Sequence, residues 1–126
     1  MAAVRNLAYR FFVALYRLRL TLGQAAYQFY LRRRKDHLAG ADLSYLNLSG
    51  VNLSDSNLRG ATLSRADLRR ADLSDTDLEN ANLRGTNLTN ADLSGASLRG
   101  ATVTGYQLAM AKSLRGTTLP DGSVHE

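Results

Sequence analysis

Residues 41–100 read ADLSYLNLSGVNLSDSNLRGATLSRADLRRADLSDTDLENANLRGTNLTNADLSGASLRG, with a leucine at every fifth position. The beat extends both ways, through Leu38, Leu43, Leu48, Leu53, Leu58, Leu63, Leu68, Leu73, Leu78, Leu83, Leu88, Leu93 and Leu98 to Val103 and Leu108. Two residues before each beat stands a small or apolar residue, most often Ala. One before stands Asp, Asn, Thr or Ser, and the two that follow are polar or Gly. A period of five matches neither the 3.6 of a helix nor the 2 of a strand, so this stretch predicts a repeat architecture in which each unit buries its apolar positions against its neighbours.

The pentads Ala41-Asp42-Leu43-Ser44-Tyr45, Ala71-Asp72-Leu73-Ser74-Asp75 and Ala91-Asp92-Leu93-Ser94-Gly95 resemble the pentapeptide-repeat family, over about two thirds of the chain. The resemblance implies a right-handed quadrilateral β-helix, one pentad per side and twenty residues per coil. The expected fold class is therefore an all-β solenoid of about 3.5–4 coils, preceded by one long N-terminal α-helix. With the beat residue and the small residue before it both pointing inward, large residues at both would overfill so narrow a core. Stacking by twenties puts Ala41, Ala61, Ala81 and Ala101 in one inner column, and Leu46, Val51 and Tyr106 read as larger inward residues plugging the two ends. The spacing slips to six between Leu108 and Leu114. Pro120-Asp121-Gly122 then supplies turn chemistry, expected to close the last coil and block edge pairing.

The formal charge of +5 over 126 residues divides unevenly. Residues 1–37 hold eight Lys or Arg against Asp36 alone, and residues 38–126 hold eight against ten Asp or Glu. Two domains are expected, a basic, aromatic-rich segment at 1–37 and the repeat domain at 38–126. Residues 3–34 lack Pro and hold one Gly, which predicts a helix of roughly 48 Å. Phe11, Leu15, Leu18, Leu22 and Phe29 lie on a heptad seam, Tyr9, Tyr16, Tyr27 and Tyr30 on a second stripe, and Arg32, Arg33, Arg34 and Lys35 close the segment.

These residues are the candidate attachment site, to a protein partner, a larger assembly or a membrane surface. A membrane span is disfavoured by Arg17 and Arg19, at roughly 2.5–3.5 kcal/mol each near the bilayer centre. The rival reading is a cap on the segment's own solenoid. The expected location is cytoplasmic or peripheral to a membrane.

Arg65, Arg69, Arg70 and Arg84 form a candidate basic patch on the solenoid, and Arg59, Glu79 and Arg99 align in a column of alternating sign. His37 and His125 lie at opposite ends of the repeat domain, where neither can pair with the other, and the many Ser residues stand at solenoid positions with no base beside them. The Asp and Asn before each beat recur too regularly for acid/base work and read as acceptors for nearby backbone. No enzyme, cofactor, metal or small-molecule substrate is expected, and nucleic acid is disfavoured. A DNA-mimic role of the kind known in gyrase-protecting relatives is the functional alternative. Such mimics are long and strongly acidic, whereas the repeats here carry a net charge of −2 and an Arg patch.

Overall fold

A computed structural model describes residues 38–126. They form a right-handed quadrilateral β-helix, the N-terminal helix expected at 3–34 lying outside the described residues. Parallel bridges join each pentad to the one twenty residues on, as in Asp42 to Thr62, Asp67 to Asn87 and Asn82 to Thr102. Side one holds residues 41–45, 61–65, 81–85 and 101–105, and side two holds 46–50, 66–70 and 86–90. Side three holds 51–55, 71–75, 91–95 and 111–116, and side four holds 56–60, 76–80, 96–100 and 117–121.

The backbone of a pentad accounts for all five of its N–H groups. In the pentad centred on Leu73, Ala71 donates to the Leu68 carbonyl across the corner and Asp72 to Val51 in the coil before, while Leu73 and Asp75 donate to Asp92 and Ser94 in the coil after. The fifth, on Ser74, is taken by Asp72 Oδ1 at 3.0 Å. The same bond recurs from Ser44 to Asp42, Ser54 to Asn52, Arg84 to Asn82 and Ser94 to Asp92. This is why Asp or Asn precedes the beat: a carboxylate or carboxamide there satisfies the one donor that neither turn nor ladder reaches.

Corners turn through positive φ at the last pentad position, as at Tyr45, Arg65, Arg70 and Asp75, with φ between 55° and 63°. A positive φ at the third turn residue alone is the type II signature. Gly stands at other corners, and at two of them the preceding coil also leaves no room for a side chain. A Cβ at Gly95 would run into the Asp75 carboxylate, and one at Gly100 into the Asn80 carboxamide.

The bore is filled as expected, with the beat leucines from Leu43 to Leu98 and the alanines before them buried. Four inward slots hold hydroxyls, and each finds a carbonyl. Thr76 donates to Leu53 at 2.9 Å, Thr86 to Leu63 and Thr117 to Leu93 at 2.7 Å, and Ser56 to Leu53. A buried hydroxyl is tolerated on these terms, since the cost lies in leaving it unpaired.

The fourth coil departs from the pattern. In place of side two stands the short helix α1, Gly105–Ala109, whose N-cap Thr104 forms a capping box with Gln107. The Gln107 amide turns inward and donates to the carbonyls of Leu83 and Thr86 at 2.7 and 3.0 Å, closing the corner a regular pentad would have closed. One extra residue, Lys112, follows the helix. The next bridges accordingly join Asp92 to Ser113 and Ser97 to Thr118, twenty-one residues apart. Val51 is buried and Leu46 packs against the core, as expected of inward end residues, but Tyr106 does not plug the bore. It rides on α1 and is 79% exposed, because the helical turn carries its side chain away from the axis.

The charge column is half formed. Arg59 pairs with Glu79 at 2.7 Å and lies 3.6 Å from Asp77, whereas the Arg99 guanidinium lies against Gly122. Both partners of the pair are partly exposed, so it contributes about 0–1 kcal/mol. Glu79→Arg would face Arg59 with a like charge. It is expected to lower the urea midpoint at low salt and to approach the wild-type value at 1 M salt, where the screening length falls to about 3 Å.

Candidate functional interface

The attachment residues Phe11, Leu15, Leu18, Leu22, Phe29, Tyr9, Tyr16, Tyr27, Tyr30 and 32–35 lie outside the described residues. The solenoid surface therefore carries the geometry. Its outer charge is polarised. Sides one and two carry Arg65, Arg69, Arg70 and Arg84 against Asp42 and Asp67. Sides three and four, with the tail, carry Arg59, Arg99, Lys112 and Arg115 against eight acidic residues.

The structure divides the four-arginine patch between two sides. Arg65 and Arg84 stand on side one, where the Arg65 guanidinium stacks 6.0 Å from the Tyr45 ring centroid. Arg69 and Arg70 stand on side two, and Arg69 is committed to Asp67 through Nε at 2.9 Å and Nη2 at 2.7 Å. That bidentate pair holds the Asp67 carboxyl below its ordinary range.

Two open grooves meet at the corner between sides two and three. One, of about 460 Å³, is lined by Ser49, Gly50, Arg69, Arg70, Thr89 and Asn90. The other, of about 400 Å³, is lined by Arg70, Ala71, Asp72, Asn90, Asp92 and Lys112. Ala111 continues the inward column of Val51, Ala71 and Ala91 and packs against the core, and Lys112, inserted between it and Ser113, stands exposed at this corner with its N–H donated to the Ala91 carbonyl. The cations Arg70 and Lys112 face the anions Asp72 and Asp92, so the corner has no excess charge with which to hold a free anion.

The Asp92 carboxyl is held below its ordinary range first by the Ser94 hydroxyl, then by the Ser94 N–H, with a smaller contribution from Lys112, against the opposing effect of burial. A depressed native pKa contributes stability above the unfolded value, about 3.9, and loses it as pH falls through the native value. Asp92→Asn keeps an Oδ1 acceptor and removes the titration. It should leave the urea midpoint near wild type at pH 7 and make the acid limb shallower below about pH 4, which chemical denaturation between pH 2 and 7 would read.

Among the described residues no three His, Cys, Asp or Glu side chains group to hold a metal, and no helix is long and apolar enough to cross a membrane. The row of Asp and Asn side chains is bonded to the backbone, as their recurrence predicts. Sequence reading missed α1 and Gln107. The signal was present in the six-residue step from Leu108 to Leu114 and in the Thr104-x-x-Gln107 spacing.

No curated protein matches the chain. Among solved structures, QnrB1, a plasmid-mediated fluoroquinolone resistance protein, is 22% identical over 64% of this chain and 38% of its own length, with a TM-score of 0.57. HetL, a pentapeptide repeat protein involved in heterocyst differentiation regulation from the cyanobacterium Nostoc sp. strain PCC 7120, is 35% identical over 68% of this chain and 43% of its own, with a TM-score of 0.27. The pentapeptide repeat protein alr5209 from Nostoc PCC 7120 is 35% identical over 72% of this chain and 69% of its own, with a TM-score of 0.30. The chain thus spans 38% of QnrB1 and 43% of HetL, well under two thirds of either. Residues 37–75 and 66–105 match the pentapeptide-repeat family as 8 copies, and with the five-residue backbone pattern they establish that this chain is a member of that family.

Proposed function

We propose that this protein is a non-enzymatic scaffold, a rigid solenoid at 38–126 that an N-terminal helix within residues 1–37 attaches to a larger, membrane-associated assembly or to the membrane surface. The observation that carries the reading is the use made of the outward carboxylates and carboxamides. From Asp42 to Asp92 they accept bonds from their own backbone, which leaves a stiff surface offering shape and charge instead of reactive groups. The segment ahead of it supplies what the solenoid lacks, two apolar stripes and a basic run. Replacing Phe11, Leu15, Leu18 and Leu22 together with Gln is expected to abolish capture of a protein partner from lysate. Replacing Tyr9, Tyr16, Tyr27 and Tyr30 tests the other stripe. Retained capture in both variants would refute attachment through this segment.

Capping in cis is the second reading, and it too has an observation behind it. The first coil points Leu43, Leu48, Leu53 and Leu58 into the bore, and an uncovered mouth would present all four to water. Residues 1–37 adjoin that mouth in sequence. If the seam only caps, the four Gln substitutions lower the solenoid's urea midpoint and leave partner capture unchanged. The DNA-mimic alternative draws support from the QnrB1 likeness in fold alone. The solenoid's mixed charge, basic on two sides and acidic on two, weighs against it.

A further inference from the structure

Tyr45 and Tyr106, 72% and 79% exposed, are the two most exposed large hydrophobic side chains among the described residues. Tyr45 stands at the corner between sides one and two in the first coil, and Tyr106 just past the same corner in the fourth, on α1. The corner column between them runs through Arg65 and Gly85 to Gly105. With coils about 4.8 Å apart, the two tyrosines flank roughly 14 Å of this corner.

The two glycines stand there for different reasons. Gly85 has a φ of 69°, and a Cβ on it would lie 3.0 Å from Arg65 Cγ, so the fold itself requires glycine. Gly105 is under neither constraint. Its φ is not positive, a Cβ on it would meet nothing within 4 Å, and at the first position of α1 alanine would serve the helix at least as well. Close approach of another chain is the remaining use for bare backbone at this point.

Arginine accompanies the tyrosines. The Arg65 guanidinium stacks on the Tyr45 ring, and Arg84 stands exposed beside Gly85. Ion pairs among the described residues join Arg59 to Asp77 and Glu79, and Arg69 to Asp67, so neither Arg65 nor Arg84 is spent on a carboxylate. The one carboxylate of side one, Asp42, accepts the Ser44 N–H at 3.1 Å. Tyr and Arg, set close together, are the residue types that anchor protein interfaces.

We propose that this corner docks an acidic segment of a partner protein, its carboxylates on Arg65 and Arg84 and its backbone passing over Gly85 and Gly105 between the two tyrosines. Arg offers a carboxylate two parallel N–H donors, which fixes the segment as well as attracting it. Charge selects the occupant. Residues 1–37, with eight Lys or Arg against one Asp, carry the same sign as this corner and are repelled from it. A nucleic acid or an anionic bilayer extends far beyond 14 Å and would bring phosphates against sides three and four, where acidic residues outnumber basic ones. A short acidic protein segment meets the arginines alone. This surface is separate from the attachment proposed for residues 1–37, and neither proposal depends on the other.

The test uses the full chain and the synthetic peptide Glu-Glu-Asp-Glu-Glu, blocked at both ends, read by amide NMR at low salt. The peptide should shift the Tyr45, Arg65, Gly85 and Tyr106 amides saturably and leave Leu73 and Leu83 in place, whereas the neutral peptide Gln-Gln-Asn-Gln-Gln should shift none. Arg65→Gln combined with Arg84→Gln should weaken binding about tenfold or more, and Arg115→Gln, on side three, should leave it unchanged. Gly105→Gln alters no charge and has space in the fold, so its urea midpoint should stay at or above wild type while affinity falls about tenfold. Wild-type affinity in Gly105→Gln would reduce the effect to diffuse charge and overturn the proposal. Wild-type affinity without the two arginines, or shifts confined to other residues, would overturn it as well. Shifts at these amides from an oligothymidine and none from the acidic peptide would do so in favour of nucleic acid. Self-association that is lost with the two arginines, with no peptide shift, would do so in favour of a second copy.

Discussion

Leu73→Ala is expected to destabilise the solenoid by about 2–5 kcal/mol. Leu73 is fully buried at the centre of side three, between Leu53 in the coil before and Leu93 in the coil after, both equally buried. Each of the three sits on backbone fixed by ladder bonds to its neighbours. Collapse into the vacated space would have to break those bonds, so the cavity persists and its cost adds to the lost transfer energy. Leu46→Ala provides the contrast. Leu46 is only partly buried, at the first coil, and its truncation should cost clearly less. Urea midpoints of the two variants measure the difference, and equal losses would mean that the bore is not packed coil on coil.

Ala81→Leu should also destabilise, by about 1–3 kcal/mol or more, although it adds apolar surface. Ala81 is fully buried in the inner column with Ala41, Ala61 and Ala101. Its carbonyl accepts from Thr102 and its N–H donates to the Leu78 carbonyl at 3.0 Å. A larger side chain must therefore displace either the facing leucines or the corner itself. Arg84→Leu, at an exposed position three residues on, supplies the control with the same new side chain. A melting temperature unchanged by Ala81→Leu would contradict the quadrilateral core.

What could be read from the sequence follows from what a five-residue period records. It carries which residues point inward, hence Leu73, Ala81 and the hydroxyls at 56, 76 and 86 in the same slots. The backbone role of the Asp and Asn before each beat was legible too, because a functional carboxylate does not recur every fifth position. The period does not record exceptions to itself. The helix α1 replaces a whole side, so a column drawn by twenties sends Tyr106 inward when the structure exposes it. Arg99 was misplaced for a related reason. A shared column fixes Cα positions about 4.8 Å apart, yet a long side chain follows its local neighbours, here the turn at Gly122. The surface patch of four arginines was visible as composition. The commitment of Arg69 to Asp67, two residues away on the same side, needed coordinates.

The account separates a solenoid that holds itself together from an N-terminal segment that attaches it. Deleting residues 1–37 tests that separation directly, by comparing the shortened chain with the full one for far-UV circular dichroism, partner capture from lysate and flotation with vesicles containing anionic lipid. Residues 38–126 are predicted to keep a cooperative β-helix and to lose the association that the full chain shows. Association undiminished in residues 38–126, or a full chain that binds neither partner nor vesicle, would contradict it.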